Sequence, residues 1–242
     1  TFGCENAEML PAWEAAEDIA DATDEIRAER LRIVRKLANY KNAAGKKARS
    51  GQKPFISASI QALCQPVPSA RQIRQSSLKL KLNEELSPEQ VINWLNDNGF
   101  ERVDRVDYPG QFATRGGIID IFAPLVDEVT LLDSEQPDSD EKTEPVRVEF
   151  FGDNIESIRR IDLDTQRSSR QLDYISIVSA TCGTDGDKTE MFLSTLPEDT
   201  LVVLKEPGDL QDVANVYLQR LENPEKLYNW QDIHGALAKF NQ

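Results

Sequence analysis

PGQFATRGGIIDIF (residues 109–122) and, after an acidic stretch, PVRVEFFGD (residues 145–153) place charged residues of both signs on successive extended runs around a glycine pair. In an extended chain alternate side chains share a face, so Phe112, Thr114 and then Arg115 before Gly116-Gly117 do not make a simple buried ladder. Arg115 is therefore expected to be presented rather than packed. A Gly-Gly pair inside a β run ordinarily marks a bulge, and a bulge is the expectation here. In residues 146–150 the same alternation puts Arg147 and Glu149 on one face and Val146, Val148 and Phe150 on the other.

The neighbouring segments read the same way. Alternating strands are expected at Glu101–Val106, Gln111–Arg115, Ile118–Phe122, Val146–Phe151, Ile155–Ile161 and Tyr174–Val178, with turns at Tyr108-Pro109-Gly110 and Gly152-Asp153. Leu78, Leu80 and Leu82 alternate with lysines as a half-buried strand. Ser87 is an N-cap with Pro88 at the first helical position and Gln90 closing a capping box, and Gly99 ends that helix. Between two of the strands, Asp127–Glu144 holds eight acidic residues and one lysine and reads as an extended, solvated loop. The whole is an α+β module with a small antiparallel sheet. If Glu101–Val106 folds back on Gln111–Arg115 through the Pro-Gly turn, Arg102, Arg115 and Arg147 converge. Arginine's planar fork suits both interfaces and internal ion pairs, so an interface and a ladder with Asp104, Asp120 and Glu149 stay open as alternatives.

On either side the grammar changes to α/β. Ile26, Ile33, Val34 and Leu37 make one apolar stripe on a surface helix from Asp24 to about Asn39. The short run Phe55–Ala58 leads into a helical turn, Ile60–Cys64, capped by Ser59 and stopped by Pro66 and Pro68. Leu201–Leu204 reads as a strand buried on both faces, followed by an amphipathic helix on Leu210, Val213, Tyr217 and Leu221. The expected organisation is an α/β domain, residues 1–75 and 180–242, interrupted by the acidic module at 76–179.

Charge and composition limit the chemistry. The 242 residues carry a net charge of −14, with 39% apolar and 29% charged residues, as in a soluble globular protein. Residues 1–75 hold 12 Lys+Arg against 9 Asp+Glu, 76–179 hold 11 against 22, and 180–242 hold 5 against 11. Such acidity argues against non-specific duplex binding as the role of the middle module. The basic run Lys36, Lys41, Lys46, Lys47, Arg49 and Lys53 reads as a solvated loop rather than a nucleic-acid contact. No run of about 20 apolar residues and no signal peptide is present, so a cytoplasmic protein without membrane contact is expected. Starting at Thr1 without an initiator Met, the chain is expected to be a segment of something longer.

Catalytic raw material is scarce. Cys4, Cys64 and Cys182 have no metal-ligand or disulfide spacing, and the single histidine, His234, reads as an ordinary surface residue. Gly45-Lys46-Lys47 lacks the earlier glycine and the Ser/Thr of a phosphate-binding loop, and Lys205 stands where an ATPase would place a metal-binding carboxylate. No catalytic, cofactor or metal site is expected in these residues.

Residues 109–122, PVRVEFFGDNIESIRRID (145–162) and Asp164-Thr-Gln-Arg167 resemble the second domain of the nucleotide excision repair proteins UvrB and transcription-repair coupling factor (Mfd). Residues 10–14, 29–31, 56–63 and 196–207 are similar to the degenerate helicase-like domain into which that module is inserted. The missing ATP loop and aromatic-rich DNA hairpin fit the N-terminal UvrB-homology module of the coupling factors better than UvrB, a UvrB-type ATPase being the alternative. The resemblance implies a non-catalytic module that binds UvrA through Arg102, Phe112, Arg115, Arg147 and Glu149. It further implies a parent ATP-driven DNA translocase that displaces stalled RNA polymerase, with ATP and magnesium in a motor elsewhere. The position of a further UvrB arginine is Ala113 here. The family usually has a very short turn where this chain has Asp127–Glu144, and that loop is expected not to cover the patch.

Overall fold

A computed structural model of the chain describes residues 7–13, 24–43, 54–129, 144–165, 167–183 and 189–240. It separates into two units, residues 1–72 with 183–242 and residues 73–182. The second unit thus extends three residues beyond the expected module at each end.

The first unit opens with β1 (Ala7–Leu10), α1 (Asp24–Ala43) and β2 (Phe55–Ala58). The two strands pair in parallel, Ala7 with Phe55 through Leu10 with Ala58. Parallel neighbours need a crossover, and α1 supplies it, which is the expected α/β grammar. The helix buries more of its girth than one stripe: Leu31, Ile33, Val34 and Leu37 are in the core, and so is Arg30. Lys36, the first residue of the basic run, forms an ion pair with Glu8; residues 44–53 of that run lie outside the described residues. As expected, β2 passes at once into α2 (Ile60–Cys64), whose N-terminus is closed by Ser59 Oγ accepting from Ala62 N at 3.2 Å. After β3 (Val67–Pro68), α3 (Ala70–Gln75) leads into the second unit.

The second unit begins with β4 (Ser77–Lys81) and α4 (Pro88–Asp97). The capping box is present as read: Ser87 Oγ accepts from Gln90 N at 3.2 Å and Gln90 Oε1 from Ser87 N at 3.0 Å. At the other end Phe100 N donates to Leu95 O and Gly99 N to Asn96 O, a Schellman closure, and the Phe100 ring packs 6.1 Å from that of Trp94.

Then come β5 (Glu101–Arg102), β6 (Gln111–Arg115), β7 (Ile118–Phe122), β8 (Val126–Val129), β9 (Val146–Phe151), β10 (Asn154–Ile161), β11 (Ser168–Gln171) and β12 (Tyr174–Val178). They form a six-stranded sheet in the order β11-β10-β9-β7-β6-β5 and a three-stranded sheet, β4-β12-β8. Phe112, Ile119, Ile121, Val146, Val148, Ile155 and Ile158 face Val91 and Leu95 of α4 and Leu80, Ile175 and Ile177 of the smaller sheet. One apolar face of each element thus closes a single core.

Three expectations change in this unit. Glu101–Val106 is not a strand folding back on β6: only Glu101–Arg102 pairs, and it pairs in parallel with Gln111–Phe112. Residues 103–110 cross instead to the other side of the sheet, where Val106 packs with Ala113 and Phe122. The glycine pair is not a bulge either, since Arg115 pairs with Ile118 and Gly116-Gly117 are the two loop residues of a hairpin. Irregularities fall instead on β10, between Ile155 and Ser157 and between Arg159 and Ile161. Finally, the acidic stretch starts as a strand, β8 pairing with β12 over Val126–Val129; residues 130–143 lie outside the described residues.

The chain returns to the first unit through β13 (Thr189–Glu190), which pairs with β3, and then α5 (Phe192–Thr195), α6 (Pro207–Gln219) and α7 (Trp230–Leu237). Leu201–Leu204 is not a doubly buried strand. Among the described residues it makes one bridge, at Leu201; Val202 and Leu204 pack on the helical core while Leu201 and Val203 are 70% and 81% exposed. Burial on both faces requires strands on both sides, and this segment is instead a single extended piece lying on helices. In α6 the inward residues are Leu210, Ala214 and Tyr217, whereas Val213 points outward. His234 is exposed on α7 beside the Trp230 ring. Among the described residues no helix is long and apolar enough to cross a membrane, and no cluster of His, Cys, Asp and Glu could hold a metal ion.

Candidate protein-interaction face

The sheet of the second unit has a second side, and its register fixes what stands there. Ala113 pairs with Asp120, Asp120 with Arg147, and Arg147 with Arg159; one row on, Arg115 pairs with Ile118, Ile118 with Glu149, and Glu149 with Ser157. Directly paired residues share a face, so Arg115, Arg147 and Glu149 stand together opposite the core.

Their states differ. Arg115 is exposed at the tip of the β6–β7 hairpin and has no ion pair among the described residues. Arg147 forms a fork on Asp120, with Nε to Oδ1 at 2.7 Å and Nη2 to Oδ2 at 2.8 Å. That hydrogen bond first, and then the charges of Asp120 and Glu149, hold its guanidinium further above its ordinary pKa. Glu149 Oε2 accepts from the buried Ser157 Oγ at 2.6 Å. The ladder reading is thus realised for Arg147 through Asp120, and the presented reading for Arg115.

Arg102 and Phe112 stand elsewhere. They pair with each other, and Phe112 is a core residue, 0% exposed. Phe112 is therefore corrected from a contact residue to a structural one: its even position on β6 turns it away from Arg115. By the same register Arg102 belongs to the core side, so the expected convergence of three arginines is reduced to two. Arg102 remains exposed at the edge, where Nη2 donates to Thr114 Oγ1 at 2.6 Å. Ala113 is buried with Val106 and Phe122. Sequence reasoning missed one presented residue, Phe151, exposed at the end of β9. The signal was there, because Arg147, Glu149 and Phe151 alternate on one face up to the Gly152-Asp153 turn.

Two glycines set the tip. Gly116 has φ +61, the left-handed first position of a two-residue hairpin loop, whereas a Cβ on Gly117 would lie 2.8 Å from the Phe150 carbonyl oxygen. The tip is also held by Phe150 N donating to Gly117 O at 2.7 Å. Gly117→Ala should therefore push β9 away from the turn at a cost of about 1–3 kcal/mol. Gly116→Ala meets open space and should cost about 1 kcal/mol from its backbone alone. Thermal unfolding of the two variants measures the order, and Gly117→Ala should melt lower.

Known proteins place this arrangement. The family model described as the UvrB interaction domain matches residues 78–133 and 137–182, nearly the whole of the second unit. The transcription-repair-coupling factor of Bacillus subtilis (strain 168) is 32% identical over 160 residues, 66% of this chain and 11% of that protein. Those of Staphylococcus aureus strains bovine RF122 / ET3-1 and MRSA252 are each 28% identical, over 164 and 183 residues, or 68% and 76% of the chain. The matched stretch spans only 11%, 12% and 13% of these relatives' own lengths. With register, residue pattern and likeness in agreement, residues 78–182 form a UvrB interaction domain, in a chain similar over about two thirds of its length to transcription-repair-coupling factors.

Proposed function

We propose that residues 73–182 are a docking module that recruits UvrA in nucleotide excision repair, and that the chain itself catalyses nothing. The observation that carries this is Arg115: an exposed guanidinium, without a partner among the described residues, held on a glycine-built tip of a UvrB interaction domain. Arg102 at the adjacent edge and the Arg147–Glu149 pair on the same face are the further contacts. Arg147 acts with Asp120 already attached, so it contributes a fixed charge rather than a free fork. The flanking unit, with its β1–α1–β2 crossover, is read as a relic of a helicase-like domain. The protein from which the chain derives is read as an ATP-dependent DNA translocase of the cytoplasm that displaces stalled RNA polymerase. ATP, magnesium, DNA and polymerase engage its other parts.

Charge reversal tests the module. Arg115→Glu with Arg102→Glu should abolish capture of purified UvrA, since losing one desolvated charged contact costs about 2–5 kcal/mol. The melting temperature should stay near that of the parent chain, both side chains being exposed. Undiminished capture would refute the assignment. ATP hydrolysis by the 242-residue chain, with and without DNA, should stay at background; turnover would favour a UvrB-type ATPase instead.

A further inference from the structure

The register of the large sheet sets two arginines side by side. Across the outer face one row runs Ala113, Asp120, Arg147, Arg159, Gln171, each directly paired with the next. Like charges opposite one another on antiparallel strands repel, so Arg147 and Arg159 each call for an acid. The row holds one. Arg147 takes both oxygens of Asp120, at 2.7 and 2.8 Å. The acid on the diagonal from Arg159, Glu149, accepts instead from Ser157 Oγ at 2.6 Å. Arg160, the next residue along β10, reaches Glu144 at 3.2 Å. Arg159 is half-buried and has no side-chain hydrogen bond or ion pair among the described residues.

A partly buried cation set against a like charge, with no acid of its own, breaks the rule that its neighbours obey, and such breaches concentrate at functional surfaces. The place is open, since β11 is the last strand of the sheet and Gln171, next in the row, is exposed. We propose that Arg159 is a second, separate cationic contact on this face, and that the bound protein supplies the missing carboxylate, three strand spacings or about 14 Å from the strand of Arg115. The interface then runs across the sheet from the β6–β7 tip to the β11 edge. The incoming carboxylate also offsets the repulsion between Arg147 and Arg159, so binding relieves a stress present in the free domain. Charge complementarity selects a protein rather than nucleic acid as the occupant. Asp120 and Glu149 stand in the same two rows, and residues 76–179 hold 22 acidic against 11 basic residues, so a run of phosphates would be repelled. The inference rests on the reading of this face as the UvrA-binding one, and it adds a contact at the other end of that face.

The experiment measures binding of the 242-residue chain to purified UvrA at two salt concentrations, for the parent chain, Arg159→Gln, Arg159→Lys, Lys79→Gln and Arg115→Ala. Lys79 is the control for overall charge: it is exposed on the side of β4 turned away from the core. Arg159→Gln should bind on the order of tenfold more weakly, with a flatter salt dependence. Arg159→Lys, which keeps the charge, should recover most of the loss, and Lys79→Gln should bind like the parent. The melting temperature of Arg159→Gln should equal or exceed the parent's, because a repulsion is removed and no bond is lost. Binding of Arg159→Gln within about twofold of the parent, with Arg115→Ala weakened, overturns the second contact and leaves UvrA recruitment standing. Equal weakening by Lys79→Gln overturns it by assigning the effect to net charge, and a fall in melting for Arg159→Gln overturns it by assigning the residue to the fold. If the parent chain does not bind UvrA, the recruitment reading fails first and the second contact with it.

Discussion

Phe112→Ala should unfold the second unit rather than weaken a contact. The ring is fully buried among Ile121, Val146 and Leu95, at the centre of the core shared by the large sheet, α4 and the small sheet. Truncating such a ring removes its transfer energy and leaves a cavity that backbone on three sides cannot fill, a loss of about 3–5 kcal/mol. That is a large share of the stability of a domain of this size. Hydrogen exchange should show the amides of β6, β7 and β9 losing protection together, while those of α6 and α7 keep theirs. UvrA capture by this variant should fall in step with the folded fraction. Phe112→Leu separates the two roles: it keeps most of the volume, should cost no more than about 1.5 kcal/mol, and should capture UvrA like the parent chain once folded. A Phe112→Ala chain that melts normally yet fails to capture UvrA would return this residue to the interface.

The reassignment of Phe112 shows what the sequence made legible and what it did not. Counting by twos from Arg115 already puts residue 112 on the opposite face, so the local pattern outweighed the pull of its neighbours in the motif. The same count makes Phe151 a companion of Glu149. Elements decided within a few residues were readable: the Ser87–Gln90 box, the Gly99 closure, the Ser59 cap and the strands around each two-residue turn. Elements decided by distant neighbours were not. Glu101–Val106 alternates like a strand, but its pairing is parallel and stops after Arg102, and a parallel register leaves no turn signal in the sequence. It is that register which moves Arg102 away from Arg115. Leu201–Leu204 has the composition of a central strand, and only the positions of other elements decide whether both its faces are covered. Arg147 was ambiguous for a related reason, because composition places an acid within reach without saying which acid takes the fork.

Arg30→Ala should cost the first unit about 3–5 kcal/mol, since several buried carbonyls lose their only charged donor at once. The residue sits within the apolar stretch of α1 and is 3% exposed. Its Nη1 donates to Pro11 O at 2.6 Å and its Nη2 to Gln65 O and Pro66 O, both at 3.1 Å. The guanidinium also lies 4.7 Å from the centre of the Trp13 ring. One side chain thus ties the end of β1 to the carbonyls beyond α2, where the helix terminus leaves acceptors unfilled. Gln65 completes the knot, donating to Trp13 O at 2.9 Å and to the Tyr217 hydroxyl of α6 at 2.7 Å. Burial pushes the arginine's pKa down to about 9, which still leaves it charged at neutral pH. Here the charge is held by carbonyl dipoles and an aromatic face, an arrangement that needs a planar fork wide enough to span two segments. Arg30→Lys should therefore fail to rescue: an ammonium at the end of a flexible stem can reach Pro11 or Gln65 but not both in one plane. Hydrogen exchange again gives the local readout, with α2 and β1 losing protection in both variants while the strands of residues 73–182 remain unchanged. If Arg30→Lys protected these amides as well as arginine does, charge alone would suffice and the fork geometry would be irrelevant.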